Sequence, residues 1–324
     1  MLKFFIILFI ILYQSIAHSK TSNTNFFNQK YLSSYFSALI SFNNQNSEKS
    51  IKYFNLSKNL KKTHNKFLEN YVFSLVENEE INKAIKEIRY SKNSDSQNFY
   101  QAKILLIIDE IKNENFLQAK IYLEELKNLS NDNRFELIIT EIIQSYVHLF
   151  DTNQVIKDFN DLGKIGLITS AFQYCYLNSS NSLKYFEELI NSEDGDYSRY
   201  LYFYFYNLIK NKEIDKVVMA TNSIDFLNSN LLVLQSKNWV VEKKFEKFLE
   251  YFSCSRKEDL MSEFFYLISN LYSSQDNFVL SNFYLKLSFY LNPKFNFNLS
   301  LLAENYYLLN EHEKSKKTLN NFNK

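Results

Sequence analysis

Proline occurs once in this chain of 324 residues, at Pro293, and glycine three times. So few residues able to turn sharply, or to let a backbone approach a ligand, argue against a β-sandwich, a barrel and a Gly-rich phosphate loop. Neither sign of charge is in excess. With 37 Lys and Arg against 36 Asp and Glu, there is no basic footprint for nucleic acid and no polybasic tether for a membrane surface. The four histidines, His18, His64, His148 and His312, have no zinc-site spacing. The two cysteines, Cys175 and Cys254, either pair in an oxidising compartment or sit as separate buried thiols. No His-Glu-x-x-His, nucleophile elbow, Walker loop or dinucleotide fingerprint occurs. The adjacent carboxylates Glu79/Glu80, Glu124/Glu125 and Glu187/Glu188 would diverge by about 100° on a helix and share no proton. The expectation is a non-enzyme with no catalytic residue, metal or cofactor.

What is present is a core. Apolar residues make up 46% of the chain and aromatics 17%, ample for a folded protein. Abundant Asn, Lys, Ile, Phe and Tyr with scarce Gly, Pro and Trp also matches AT-rich coding, so richness in Tyr or Asn does not by itself mark a site. The first 17 residues have the form of a cleavable signal peptide: Lys3, an apolar run from Phe4 to Tyr13, then Ser15, Ile16 and Ala17. Ten or so apolar residues fall short of the roughly 20 that span a bilayer. Cleavage would leave 36 charges of each sign, a flexible segment over 18–30, and an exported, periplasmic protein with no membrane span.

From residue 31 the sequence repeats with a period near 34. Counting Pro293 as position 32 of a unit from Ser262 puts Phe265 at position 4, Ser269 at 8, Tyr272 at 11, Ser281 at 20, Leu285 at 24 and Ser288 at 27. Small residues at 8, 20 and 27 let two antiparallel helices approach closely, and the proline ends the second. The next unit, from Asn296, carries Leu299, Leu302, Ala303, Tyr306, Ser315, Leu319 and Phe322. A unit from Tyr31 carries Ala38, Ser50, Phe54 and Ser57; one from Asn65 carries Leu68, Tyr71, Val72, Ala84 and Ile88; one from about Tyr100 carries Leu106, Ile107, Ala119, Leu123 and Leu126. This pattern resembles the tetratricopeptide repeat (TPR), and implies an all-α fold, an α-solenoid of stacked antiparallel helix hairpins over 31–324. Regular repeats span 31–133 and 262–324.

Between them, over 134–261, the helix-turn-helix rhythm persists without the small-residue signature. Hairpins are expected at Phe135–Leu162, Leu167–Ile190 and Asp196–Asn222, with turns near Asp151–Asn153, Asn178–Asn181 and Asn211–Glu213, and further helix at Asn230–Phe252 around Trp239. The run RYLYFYFYNLI, 199–209, has strand propensity. Its flanks, with Asp196 as a cap, favour a helix buried on all sides.

The resemblance implies a protein-binding groove lined by the first helix of each pair. On the family pattern its positions are Leu32, Tyr35, Leu39 and Phe42; Lys66, Glu69, Phe73 and Val76; Glu263, Tyr266, Asn270 and Ser273; and Phe297, Ser300, Glu304 and Tyr307. Tyr35, Leu39, Glu69 and Phe73 depart from the Lys and Asn clamp with which some members hold chaperone carboxylates. The pattern resembles exported TPR proteins of bacterial cell envelopes: non-catalytic scaffolds holding a peptide or helix of an envelope-assembly or secretion partner. Alternatives are the helical part of a peptidoglycan-processing enzyme, or an assembly factor anchored by a retained signal. An uncapped last repeat, with Leu302, Tyr306, Leu319 and Phe322 open, would dock a partner or a second copy.

Overall fold

The computed structural model describes residues 29–64, 66–91, 97–130, 133–156, 159–193, 195–222, 224 and 229–321. The expected signal peptide, His18, most of the 18–30 segment and Phe322 lie outside them. Among the described residues the regular elements are all helical, with 17 α-helices. None is long and apolar enough to cross a membrane. The chain divides into two compact units, 1–64 and 65–324.

The first unit holds α1 (Gln29–Asn43), α2 (Ser47–Leu56) and a 3₁₀ turn, Lys58–Lys62. Asn46 caps α2 by accepting the Lys49 amide at 3.1 Å, which satisfies one of the donors a helix start leaves open. Ala38 and Ser50, the small residues of the repeat, are wholly buried. The Ser50 hydroxyl donates to the Ala38 carbonyl at 3.1 Å, a contact that only small side chains allow.

The second unit contains α3 (Lys66–Glu77), α4 (Ile81–Arg89), α5 (Tyr100–Lys112), α6 (Phe116–Ser130), α7 (Arg134–Thr152), α8 (Gly163–Tyr176), α9 (Asn181–Ile190), α10 (Tyr200–Lys210), α11 (Ile214–Thr221), α12 (Leu231–Val241), α13 (Glu246–Tyr251), α14 (Lys257–Ser273), α15 (Phe278–Leu291), α16 (Leu299–Leu308) and α17 (His312–Asn320). Neighbours pack as pairs: α3 with α4, α5 with α6, α8 with α9, α10 with α11, α14 with α15, and α16 with α17. α12 and α13 both lie on α10. Pro293 follows α15 directly, and RYLYFYFYNLI is helical as α10, with Tyr202 to Ile209 all buried.

Two local expectations need correction. The hairpin expected at Phe135–Leu162 is the single helix α7, followed only by the 3₁₀ turn Asn160–Leu162. Asp and Asn at 151, 153, 158, 160 and 161 leave no apolar stripe for a second helix to bury. Asp196 does not cap α10 but accepts the Ser198 amide at 2.9 Å in the preceding turn. Beyond the 3₁₀ turn, Gly166 lets α8 press against the backbone of Phe159, where any Cβ would collide with the Phe159 carbonyl.

Eight helix-to-helix turns among the described residues share one device. A non-glycine residue sits at positive φ in each: Gln45, Glu79, Glu114, Asn178, Lys212, Lys243, Asp276 and Asn310. The residue after it donates its amide five positions back, as in Asn46 to Ser41 (2.8 Å), Glu80 to Leu75 (2.8 Å) and Glu311 to Tyr306 (2.8 Å), closing the Schellman cap that satisfies the last carbonyls of the first helix. Thirty-four residues separate Gln45 from Glu79, Asn178 from Lys212, and Asp276 from Asn310. Only glycine takes this conformation without steric cost, and the chain has almost none to spend there. Replacing the exposed Lys212 (φ 65°) by glycine is therefore expected to stabilise the fold by about 1 kcal/mol, and by valine to destabilise it. Urea denaturation of both variants beside the parent checks the two signs.

Within the second unit the last hairpins also pack on the first. The Phe73 and Phe283 rings lie 4.9 Å apart, the Tyr306 hydroxyl donates to Glu77 at 2.7 Å, Lys286 pairs with Glu79 at 2.8 Å, and the Tyr290 hydroxyl donates to Asn82 at 2.6 Å. On α7, Phe135 meets Tyr272 at 4.9 Å and Tyr146 meets Phe264 at 5.8 Å. These contacts go beyond a stack in which each hairpin touches only its neighbours. Ser281 to Ser288 of α15 are all buried, so this helix needs cover on every side. For the same reason Leu302 and Tyr306, expected to lie open, are buried, while Leu319 is half exposed.

Candidate functional site

A cavity of about 260 Å³ opens in the second unit where α8, α10, α12, α14 and α16 converge. Its floor is a buried ion pair. Arg199, just ahead of α10, donates from Nε to Glu263 Oε1 and from Nη2 to Oε2, both at 2.7 Å, and from Nη2 to Asn298 Oδ1 at 2.6 Å. Its guanidinium stacks 3.6 Å from the centre of the Tyr266 ring. Glu263 is only 2% exposed, and such a charge is tolerable only with a geometrically good partner. Burial alone would pull the pKa of Arg199 down, but Glu263 and Tyr266 outweigh it and the net shift is upward. The guanidinium therefore stays charged, while burial raises the pKa of Glu263 against the pull of Arg199.

The walls are held as firmly. Asn230 caps α12 by accepting the Val233 amide at 3.1 Å and donates from Nδ2 to Ser198 Oγ at 2.9 Å, so that one residue ties α12 to the turn carrying Arg199. Asn298 donates to Ser288 Oγ at 2.7 Å, and Ser288 Oγ lies 3.1 Å from Ser262 Oγ. This links the floor to Ser288, one of the small repeat positions of α15, and to Ser262 of α14. The lining combines Tyr197, Tyr266 and Phe297 with Asn270 and Ser300.

Tyr266 and Asn270 of the groove positions line this cavity, together with Phe297 and Ser300 from the next unit, and Glu263 lies beneath it. The others are elsewhere. Val76 is wholly buried, and Phe73 meets Phe283. Lys66 is exposed and pairs with Glu69 at 2.6 Å on the surface of α3. Ser273 donates to Asn305 at 2.6 Å. Glu304 is exposed, as is Tyr307 at 63%, whose ring lies 5.2 Å from His312. In the first unit Tyr35 is buried against Phe54 and His64, at 6.1 and 4.9 Å, and Leu32, Leu39 and Phe42 are partly buried.

Arg199 and Asn298 were not anticipated from the sequence. A signal was there: only four basic residues are arginine, 89, 134, 199 and 256. Three of these bind carboxylates, Arg89 to Asp109 and Glu110, Arg199 to Glu263, and Arg256 to Asp259, as the planar fork of arginine suits. Among the described residues no group of three His, Cys, Asp or Glu is placed to hold a metal ion. No family model matches the chain, and the curated proteins and solved structures give no match either.

Beside the cavity-lining helix, Cys254 and Cys175 form a disulfide, with Cα atoms 5.6 Å apart. The loop carrying Cys254 is fixed by Asp259, which accepts the Ser253 amide and Arg256 Nε, each at 2.7 Å. Burial pushes the Asp259 carboxyl up to about 6, against the pull of Arg256. A folded pKa above the unfolded one gives stability that is complete below about pH 4 and lost as the pH rises through about 6. Asp259→Asn keeps an oxygen for the Ser253 amide and removes the titration. Its stability relative to the parent is expected to rise by about 2 kcal/mol between pH 4 and pH 7, read from urea unfolding at each pH. A difference independent of pH would refute the shift.

Proposed function

We propose that this chain is a non-catalytic, TPR-like scaffold of an exported compartment, the periplasm of a bacterial envelope, and that it binds an extended segment of a partner protein at the cavity floored by Arg199 and Glu263. One observation carries the reading: Tyr266, Asn270, Phe297 and Ser300, separated by up to 34 residues, were picked out by repeat position alone and line one cavity. The 34-residue spacing of the hairpin turns supports the repeat resemblance, whereas the contacts of α15 and α16 with α3 and α4 are ones a simple stack of hairpins would not make. The disulfide supports export, since such bonds persist in oxidising compartments.

A photo-crosslinking residue at Asn270, on the cavity rim, is expected to capture a partner in cells. The same residue at Lys314, on α17, serves as the control. Equal yields from both positions would remove the support for binding at the cavity.

A further inference from the structure

We propose that the cavity receives one large apolar or aromatic side chain presented by an uncharged stretch of polypeptide; this rests on the scaffold reading and narrows it. Charge comes first. The full charge at the floor, on Arg199, is already bound by both Glu263 oxygens and by Asn298. An incoming anion would have to displace a carboxylate seated in two hydrogen bonds and would meet the lining carboxylate of Asp196. An incoming cation would meet the guanidinium and gain only the solvent-exposed Asp196, a pairing of little worth. Neither sign gains appreciably.

Size comes next. A space of about 260 Å³ matches a single large side chain and is too small for a helix, which with its side chains is about 10 Å across. The polarity is graded in the same sense. Ile168, Leu232, Tyr266, Leu267 and Phe297 supply apolar surface to the lining, while Asn230, Asn270 and Ser300 supply amide and hydroxyl groups. The apolar groups take up an apolar side chain, and the exposed Asn270 amide can pair with a peptide group beside it. This is the arrangement by which one buried anchor dominates a protein interface.

Saturation-transfer NMR on the full chain tests the proposal with four probes: the N-acetyl amides of tryptophan, leucine, lysine and glutamate. The tryptophan and leucine amides are expected to bind in the millimolar range, as ligands of so few atoms do. The lysine and glutamate amides should bind at least tenfold more weakly. Leu231→Trp, at a half-exposed position of the lining, should weaken the tryptophan amide tenfold or more without lowering the melting temperature. Ser300→Trp provides the same test should the first variant fold poorly. Equal transfer to all four probes, preference for a charged probe, or binding untouched in a folded plugged variant would overturn the proposal. A crosslinked partner whose contact segment is charged would refute this inference and leave the scaffold reading standing. Probe binding with no difference between Asn270 and Lys314 capture would do the reverse.

Discussion

Replacing Cys175 and Cys254 together by serine is expected to cost the fold about 4 kcal/mol. That is the chain-entropy value for a crosslink between residues 79 apart. The bond ties α8 to the loop between α13 and α14. It lies in the interior, with Cys175 2% and Cys254 0% exposed. The Cys254 amide donates to the Tyr206 hydroxyl at 3.2 Å, and Cys175 Sγ lies 3.3 Å from Asn207 Oδ1. Serine would therefore keep polar neighbours, and the loss would come from freeing the unfolded chain rather than from a new unsatisfied group. For a chain of this size the midpoint of thermal unfolding should fall by roughly 7 °C. The measurement is a thermal melt of the double variant against the oxidised parent, with thiol alkylation under denaturing conditions to count free sulfhydryls. Two alkylated thiols in the native exported protein, or an unchanged melt, would contradict it.

The sequence carried the elements better than their arrangement. A 34-residue period with Pro293 as a stop located α14, α15 and α16 because the physics is local: small residues where helices touch, an apolar stripe, a residue that cannot continue a helix. The flanking rhythm recovered α10 against its strand propensity, although Asp196 is not its cap, and eight of its nine buried residues, Tyr202 to Ile209, are consecutive, with no alternation. It failed at Phe135–Leu162, where rhythm alone suggested a second helix and the composition after Asn153 could not support one. It also failed at the cross-contacts from α15 and α16 to α3 and α4. Nothing in a periodic pattern says that Phe283 will meet Phe73, although a helix apolar on all sides announces that something must cover it. Half of the site was legible. Tyr266, Asn270 and Phe297 followed from repeat position, whereas Arg199 lies in a degenerate unit with no position to read, and its partner Glu263 is 64 residues away.

That pair gives the second large effect. Arg199→Met fills much of the arginine volume but leaves Glu263 buried without a counter-charge, and breaking a buried pair by removing one partner costs about 3–5 kcal/mol. The penalty should depend on pH in a defined direction. Burial already holds the Glu263 carboxyl above its ordinary range against the pull of Arg199, and with the guanidinium gone its folded pKa must rise further. The contribution of a carboxyl shifted upward is present below the unfolded pKa and lost as the pH rises through the folded one. The variant should thus be most impaired at pH 7 and recover part of its stability at pH 5. Adding Glu263→Gln to Arg199→Met should restore stability at pH 7 and abolish the pH dependence, because the amide carries no charge to desolvate. Urea unfolding of parent, single and double variants at both pH values distinguishes the cases. If the single variant loses the same amount at pH 5 as at pH 7, the cost is lost packing on Tyr266, and Arg199 serves that ring rather than neutralising Glu263.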